Sequence, residues 1–104
     1  MAGRVAERKI RRLTVTFSDG TEERSGTTSD LSHTGIFIRT RKIFKPGTHL
    51  SLILELDDSR KINLTGTVTR YVKLGTTVFK DGMGVKLTSI PQDYKDLVDK
   101  LITQ

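Results

Sequence analysis

The sequence predicts an all-β protein, an antiparallel β-barrel of six or seven strands with one C-terminal α-helix. Three observations predict it. Leu13, Val15 and Phe17 alternate with Thr14, Thr16 and Ser18, and Leu50, Leu52, Leu54 and Leu56 repeat that alternation, the period of a strand with one buried face. Turn signals recur at the spacing of short strands, at Asp19-Gly20, Pro46-Gly47, Asp57-Asp58-Ser59 and Asp81-Gly82. After Pro91 the period changes, and Tyr94, Leu97, Val98, Leu101 and Ile102 fall on one face of a helix.

Taken in order, residues 1–11 lack an apolar period and read as a basic arm, mobile in the free protein, ahead of a barrel domain over 12–104. The first clear strand starts at Leu13, and Asp19-Gly20 turns it into a polar run, Thr21 to Thr28, with the composition of an exposed or edge strand. A polar turn, Asp30 to Gly35, leads into the apolar strand Ile36 to Thr40. The leucine-rich strand follows from His49. A long strand then runs from Ile62 to Val72, with a bulge or bend at Gly66 and a parity that aims Arg70 inward or at the rim. Val78-Phe79 pairs across an Asp81-Gly82 turn with Met83 to Leu87. Pro91 suits the first turn of the final helix, Asp93 and Asp96 its positive end, and Lys100 its negative end.

A chain of 104 residues holds one domain with a core that needs no staples. It has no cysteine, which excludes disulfides, thiolate metal sites and a cysteine nucleophile. No apolar run has the length of a membrane span, and the charged first 20 residues are unlike a signal peptide, so a cytoplasmic protein without membrane insertion is expected. The formal net charge of +6 is concentrated in two clusters. Arg4, Arg8, Lys9, Arg11 and Arg12 stand against Glu7 alone, and Arg39, Arg41, Lys42 and Lys45 against no acid, which favours an anionic partner.

The turn Asp30-Leu31-Ser32-His33-Thr34-Gly35 carries the best functional signal. A carboxylate such as Asp30 accepts two parallel N–H groups, and guanine presents such a pair, N1–H and N2–H, on its Watson–Crick edge. Ser32 offers a hydroxyl, and Gly35 a backbone able to take φ > 0. The same three residue types also serve turns that merely bond their own backbone. No catalytic site is expected: Asp30, Ser32 and His33 are neighbours in one turn and cannot converge as a triad. His33 and His49 read as a solvent-facing turn residue and a strand-edge residue, and Asp57-Asp58 as a solvated turn, so neither metal nor cofactor is expected.

Arg8-x-x-x-Arg12, then a strand hairpin, then Asp30-x-Ser32-x-x-Gly35, resembles the PilZ domain, a bacterial receptor module for the second messenger cyclic di-GMP. The likeness covers most of the chain, and Gly82-Met83-Gly84-Val85 is similar to the family's penultimate hairpin. It implies that Arg8 and Arg12 bind phosphate and guanine, that Asp30 and Ser32 read a guanine edge, and that Gly35 shapes the turn. Lys9, Arg11 and Arg70 are additional candidates. Two departures stand out: Glu7 occupies a place where many members carry a further arginine, and Arg70 aligns where a Trp often stacks on guanine. A guanidinium can stack in its stead. The resemblance further implies an unidentified effector protein and an output in motility, surface attachment or polysaccharide secretion. Two other readings use the same clusters, a small β-barrel binding single-stranded nucleic acid and a PilZ-like adaptor that no longer binds ligand. Exposed aromatic platforms would mark the first.

Overall fold

The computed structural model describes residues 9–10, 12–73 and 81–103. Seven strands and one helix follow in order: β1 (Lys9–Ile10), β2 (Thr14–Ser18), β3 (Glu23–Leu31), β4 (Gly35–Arg39), β5 (His49–Glu55), β6 (Lys61–Val72), β7 (Gly82–Ser89) and α1 (Gln92–Thr103). The hydrogen-bonded order is β1-β3-β2-β5-β6-β7-β4, and β4 pairs back onto β3. That last pairing closes β2 to β7 into a six-stranded antiparallel barrel, as expected, with β1 laid along β3.

The alternating residues fill the barrel. Val15, Phe17, Leu52 and Leu54 are buried from β2 and β5, Ile36 and Ile38 from β4, and Met83 and Val85 from β7. Helix α1 caps the core with Tyr94 and Val98, both fully buried, and packs Leu97 and Leu101 beside them. Pro91 stands just ahead of the helix, and its carbonyl accepts the Tyr94 and Lys95 N–H groups. A helix of twelve residues is marginal alone, so this apolar face holds it in place.

The β2–β3 turn is held by one carboxylate. Asp19 Oδ1 accepts from the Glu22 N–H, the Thr21 N–H and the Thr21 hydroxyl, each at 2.9 Å. Those bonds, the Glu22 N–H first, hold the Asp19 carboxyl below its ordinary value of 3.8. A lowered folded-state value adds stability that is present above the unfolded value and lost as the pH falls through the folded one. The melting temperatures of the native protein and Asp19→Ala should therefore differ at neutral pH and converge towards about pH 2. Equal separation at both pH values would remove the carboxylate from this account.

Several elements depart from the sequence reading. Strand β3 extends to Leu31, so Asp30 lies on a strand and the turn proper is Ser32 to Thr34. Only Glu23 to Gly26 pair with β2 alone; beyond them β3 is bonded on both sides. Asp81-Gly82 is not a hairpin turn, because Gly82 already belongs to β7, opposite Arg39 of β4 and Val72 of β6. Glycine is needed there for space: a Cβ would strike the Ile38 carbonyl oxygen and lie 2.5 Å from Cε1 of Phe37. Val78 and Phe79 lie outside the described residues. The expected bulge at Gly66 is present as a register shift between Thr65 and Gly66, and a second shift follows between Val68 and Arg70. Arg70 therefore escapes the parity of Ile62, Leu64 and Val68 and is exposed on the outer face.

Candidate functional site

Strand β1, which lies between Arg8 and Arg12 in the sequence, pairs with the end of β3. Lys9 stands opposite Leu31 and Ile10 opposite Asp30, in antiparallel register. Three residues on, the Leu13 N–H donates to Thr28 Oγ1 and the Thr28 N–H to the Leu13 carbonyl, both at 2.9 Å. Exposed Arg12 thus leaves the chain beside the segment Thr28 to Asp30. Arg8 and Arg11 lie outside the described residues, as does the side chain of Lys9.

A bulge aims Asp30. The β3–β4 register slips between Thr28 and Asp30, so two neighbouring parities meet there. Thr28 and Leu31 both turn inward, each fully buried, and Asp30 is left half-buried on the outer face. In an unbroken strand Asp30 would share the inward face of Thr28.

Ser32 and Gly35 shape the turn that follows. Ser32 is 2% exposed, and its hydroxyl accepts the Gly35 N–H at 3.2 Å and lies 3.4 Å from the Gly35 carbonyl oxygen. The Ser32 N–H donates to that same carbonyl at 3.0 Å. Gly35 does not use the left-handed region; the positive φ values among described glycines belong to Gly20 and Gly47. It is small because β7 comes close: a Cβ would lie 3.0 Å from the Val85 carbonyl oxygen.

Register extends the site across four strands. Asp30 is opposite Phe37, Phe37 opposite Gly84, and Gly84 opposite Arg70. Directly opposed residues share a face, so this row crosses the outside of the barrel. Phe37 is only 6% exposed, yet it is not part of the interior cluster. Its ring is covered from outside by two guanidiniums, Arg39 at 5.4 Å and Arg70 at 5.2 Å from the centroid. Arg70 reaches it across Gly84, where a Cβ would press on Arg70 Cγ at 3.2 Å. The charge of Arg70 is therefore carried back to the strand beside Asp30, about 5 Å away by strand spacing. A shallow groove of about 190 Å³ lies there, lined among others by Gly35, Phe37, Arg70, Gly84 and Lys86.

The sequence reading missed Phe37 as a part of the site, together with Gly84 and Lys86. One signal was available: Gly82 and Gly84, two apart on one strand, clear the same face. The larger concavity, about 520 Å³ between α1 and the β5–β6 turn, is lined by Asp57, Asp58, Asp93, Asp96 and Asp99 with Arg60 and Lys100. Its excess of carboxylates repels an anion, whereas Arg70 and Lys86 in the groove, with Arg39 over the Phe37 ring, attract one. Among the described residues no metal-binding group of His, Cys, Asp or Glu is formed, and no helix is long and apolar enough to cross a membrane. His33 is exposed as expected, and it also pairs with Asp99, Nε2 to Oδ1 at 2.6 Å.

The chain is thus a closed antiparallel barrel with a basic groove, holding Arg70 and Lys86, on its outer face. The PilZ domain model matches residues 3–104, and the chain belongs to that family. No curated protein sequence matches it. Among solved structures it is similar to the Bacillus subtilis inhibitor of motility MotI/DgrA, with 23% identity and a TM-score of 0.80, covering 99% of this chain and 51% of that one. It is also similar to the PilZ domain of CeSA from a cellulose-synthesizing bacterium, at 19% identity and a TM-score of 0.61, covering 93% and 95% of the two chains. A third is Borreliella burgdorferi PlzA in complex with c-di-GMP, at 16% identity and a TM-score of 0.63, covering 96% and 41%. The chain thus spans about half of the MotI structure and less of PlzA.

Proposed function

We propose that this protein is a cytoplasmic receptor for cyclic di-GMP, without catalytic activity, that regulates a partner protein when the ligand binds. The observation that supports the reading is the β1–β3 pairing, in which Lys9 and Ile10, between Arg8 and Arg12 in the sequence, stand opposite Leu31 and Asp30. Arg8 and Arg12 take the phosphates and a guanine edge, since a guanidinium bonds either one bidentately. Asp30 accepts N1–H and N2–H of a guanine. Arg70, which lies over the Phe37 ring, stacks on a base in the place where other members use Trp. Ser32 and Gly35 act through the shape of the turn, because the Ser32 hydroxyl is buried and engaged with Gly35.

Family membership and the c-di-GMP complex of the PlzA neighbour support the ligand; the MotI neighbour, an inhibitor of motility, supports an adaptor role. Motility, surface attachment and polysaccharide secretion are the outputs that the family suggests. Single-stranded nucleic acid fits less well. Among the described residues Tyr71 is the exposed aromatic, while Phe17, Phe37, Phe44 and Tyr94 are buried, so no row of stacking platforms is offered.

Calorimetric titration with cyclic di-GMP, cyclic di-AMP and a short single-stranded oligonucleotide tests the reading. Saturable heat from the guanine ligand alone is expected. Binding of the oligonucleotide alone, falling steeply with salt, would replace the reading by nucleic-acid binding. Silence with all three, confirmed by an absent thermal shift, would leave an adaptor that works by protein contacts only.

A further inference from the structure

We propose that α1 is the readout element of the ligand site, with Tyr94 as the positioning residue that couples the two. The inference rests on the receptor reading above and concerns how occupancy leaves the site. Tyr94 is fully buried, and its hydroxyl donates to the Ser32 carbonyl at 2.7 Å and lies 3.2 Å from the Gly35 carbonyl. Those two carbonyls are the two ends of the turn. A second clasp, His33 to Asp99, joins the middle of the turn to an exposed position of the helix. Helix α1 also lies against β1, the two-residue strand that pairs with β3 opposite Asp30 and Leu31. It therefore touches both the turn and the strand that pairs with Asp30.

A ligand bridging Arg12 and Asp30 ties the chain just after β1 to the end of β3 just before the turn, and β1 and the turn are both supports of α1. The helix is short and depends on its docking, so fixing its supports lowers the frequency with which it opens. Linkage makes the effect reciprocal: whatever loosens α1 weakens the ligand, and whatever engages α1 changes ligand affinity. The exposed face of α1, with Asp93, Lys95, Asp96 and Lys100, then carries the state of the site to the surface.

Hydrogen exchange of the α1 amides, with and without saturating cyclic di-GMP, reads this directly. In the native protein the ligand should slow exchange over Tyr94 to Leu101 about tenfold. Tyr94→Phe keeps the ring and removes the hydroxyl; it should bind cyclic di-GMP about tenfold more weakly and, at saturation, no longer protect α1. Asp99→Ala, at an exposed position, should lower affinity a few-fold and reduce the protection in part. Protection confined to β1, β3 and the turn, or native affinity in Tyr94→Phe, would overturn the coupling while leaving the receptor reading intact. Absence of any cyclic di-GMP binding to the native protein would overturn both.

Discussion

Replacing Arg12 by alanine should weaken cyclic di-GMP binding roughly five- to 150-fold, the equivalent of ~1–3 kcal/mol for a bidentate arginine contact to guanine. The side chain is exposed, so its loss leaves the barrel's core and melting temperature intact. Affinity then falls without a change in folding. Asp30→Ala should act differently, on selectivity more than on affinity. The carboxylate accepts two donors that guanine presents and adenine lacks, so the preference for cyclic di-GMP over cyclic di-AMP should collapse. A single set of titrations checks both variants. If Arg12→Ala binds as tightly as the native protein, or Asp30→Ala keeps its preference for the guanine ligand, the roles assigned to these two residues are wrong.

The barrel was legible because alternation is a local property. Leu13 to Phe17 and Leu50 to Leu56 declare their inward face without reference to any partner strand, and the helical face from Tyr94 does the same. The aim of the two most telling polar residues was not legible. Asp30 and Arg70 each follow a register shift, one between Thr28 and Asp30 and one between Val68 and Arg70. A bulge is a fact about two strands, and period-2 counting on one strand carries its parity straight past it. Asp30 consequently reads as part of a turn, and Arg70 as inward or at the rim. Gly82 shows the same limit from another side. Asp-Gly is a strong turn signal, but here the glycine answers to Phe37 and Ile38 on a neighbouring strand. Pairing also reveals what the arm's lack of apolar period hid, the short β1 opposite Asp30 and Leu31. At Ser32 and Gly35 the sequence could not show that the two bond to each other across the turn, or that Gly35 is kept small by the close approach of β7 and not by a left-handed backbone.

The paired substitutions Gly82→Ala and Gly84→Ala should separate the fold from the site. At Gly82 the added methyl meets the Ile38 carbonyl oxygen and the Phe37 ring, and neither can yield without parting β7 from β4. Overpacking of this kind costs up to about 3 kcal/mol or more. For a domain of this size that lowers the melting temperature by roughly 12–24 °C. At Gly84 the methyl presses on flexible atoms of Arg70, Cγ at 3.2 Å and Nε at 3.3 Å, which can swing outward, and meets Thr69 Oγ1 at an ordinary 3.6 Å. Stability should change by less than about 1 kcal/mol, while the guanidinium leaves the Phe37 ring. Ligand affinity should then fall several-fold. Thermal melts and binding titrations on the two variants give four values with an expected pattern: Gly82→Ala unstable, Gly84→Ala stable but weak in binding. A Gly82→Ala protein melting within a few degrees of the native one would contradict the close approach of β4 and β7. A Gly84→Ala protein of native affinity would take Arg70 out of the ligand site and leave the base to be held by Arg12 and Asp30 alone.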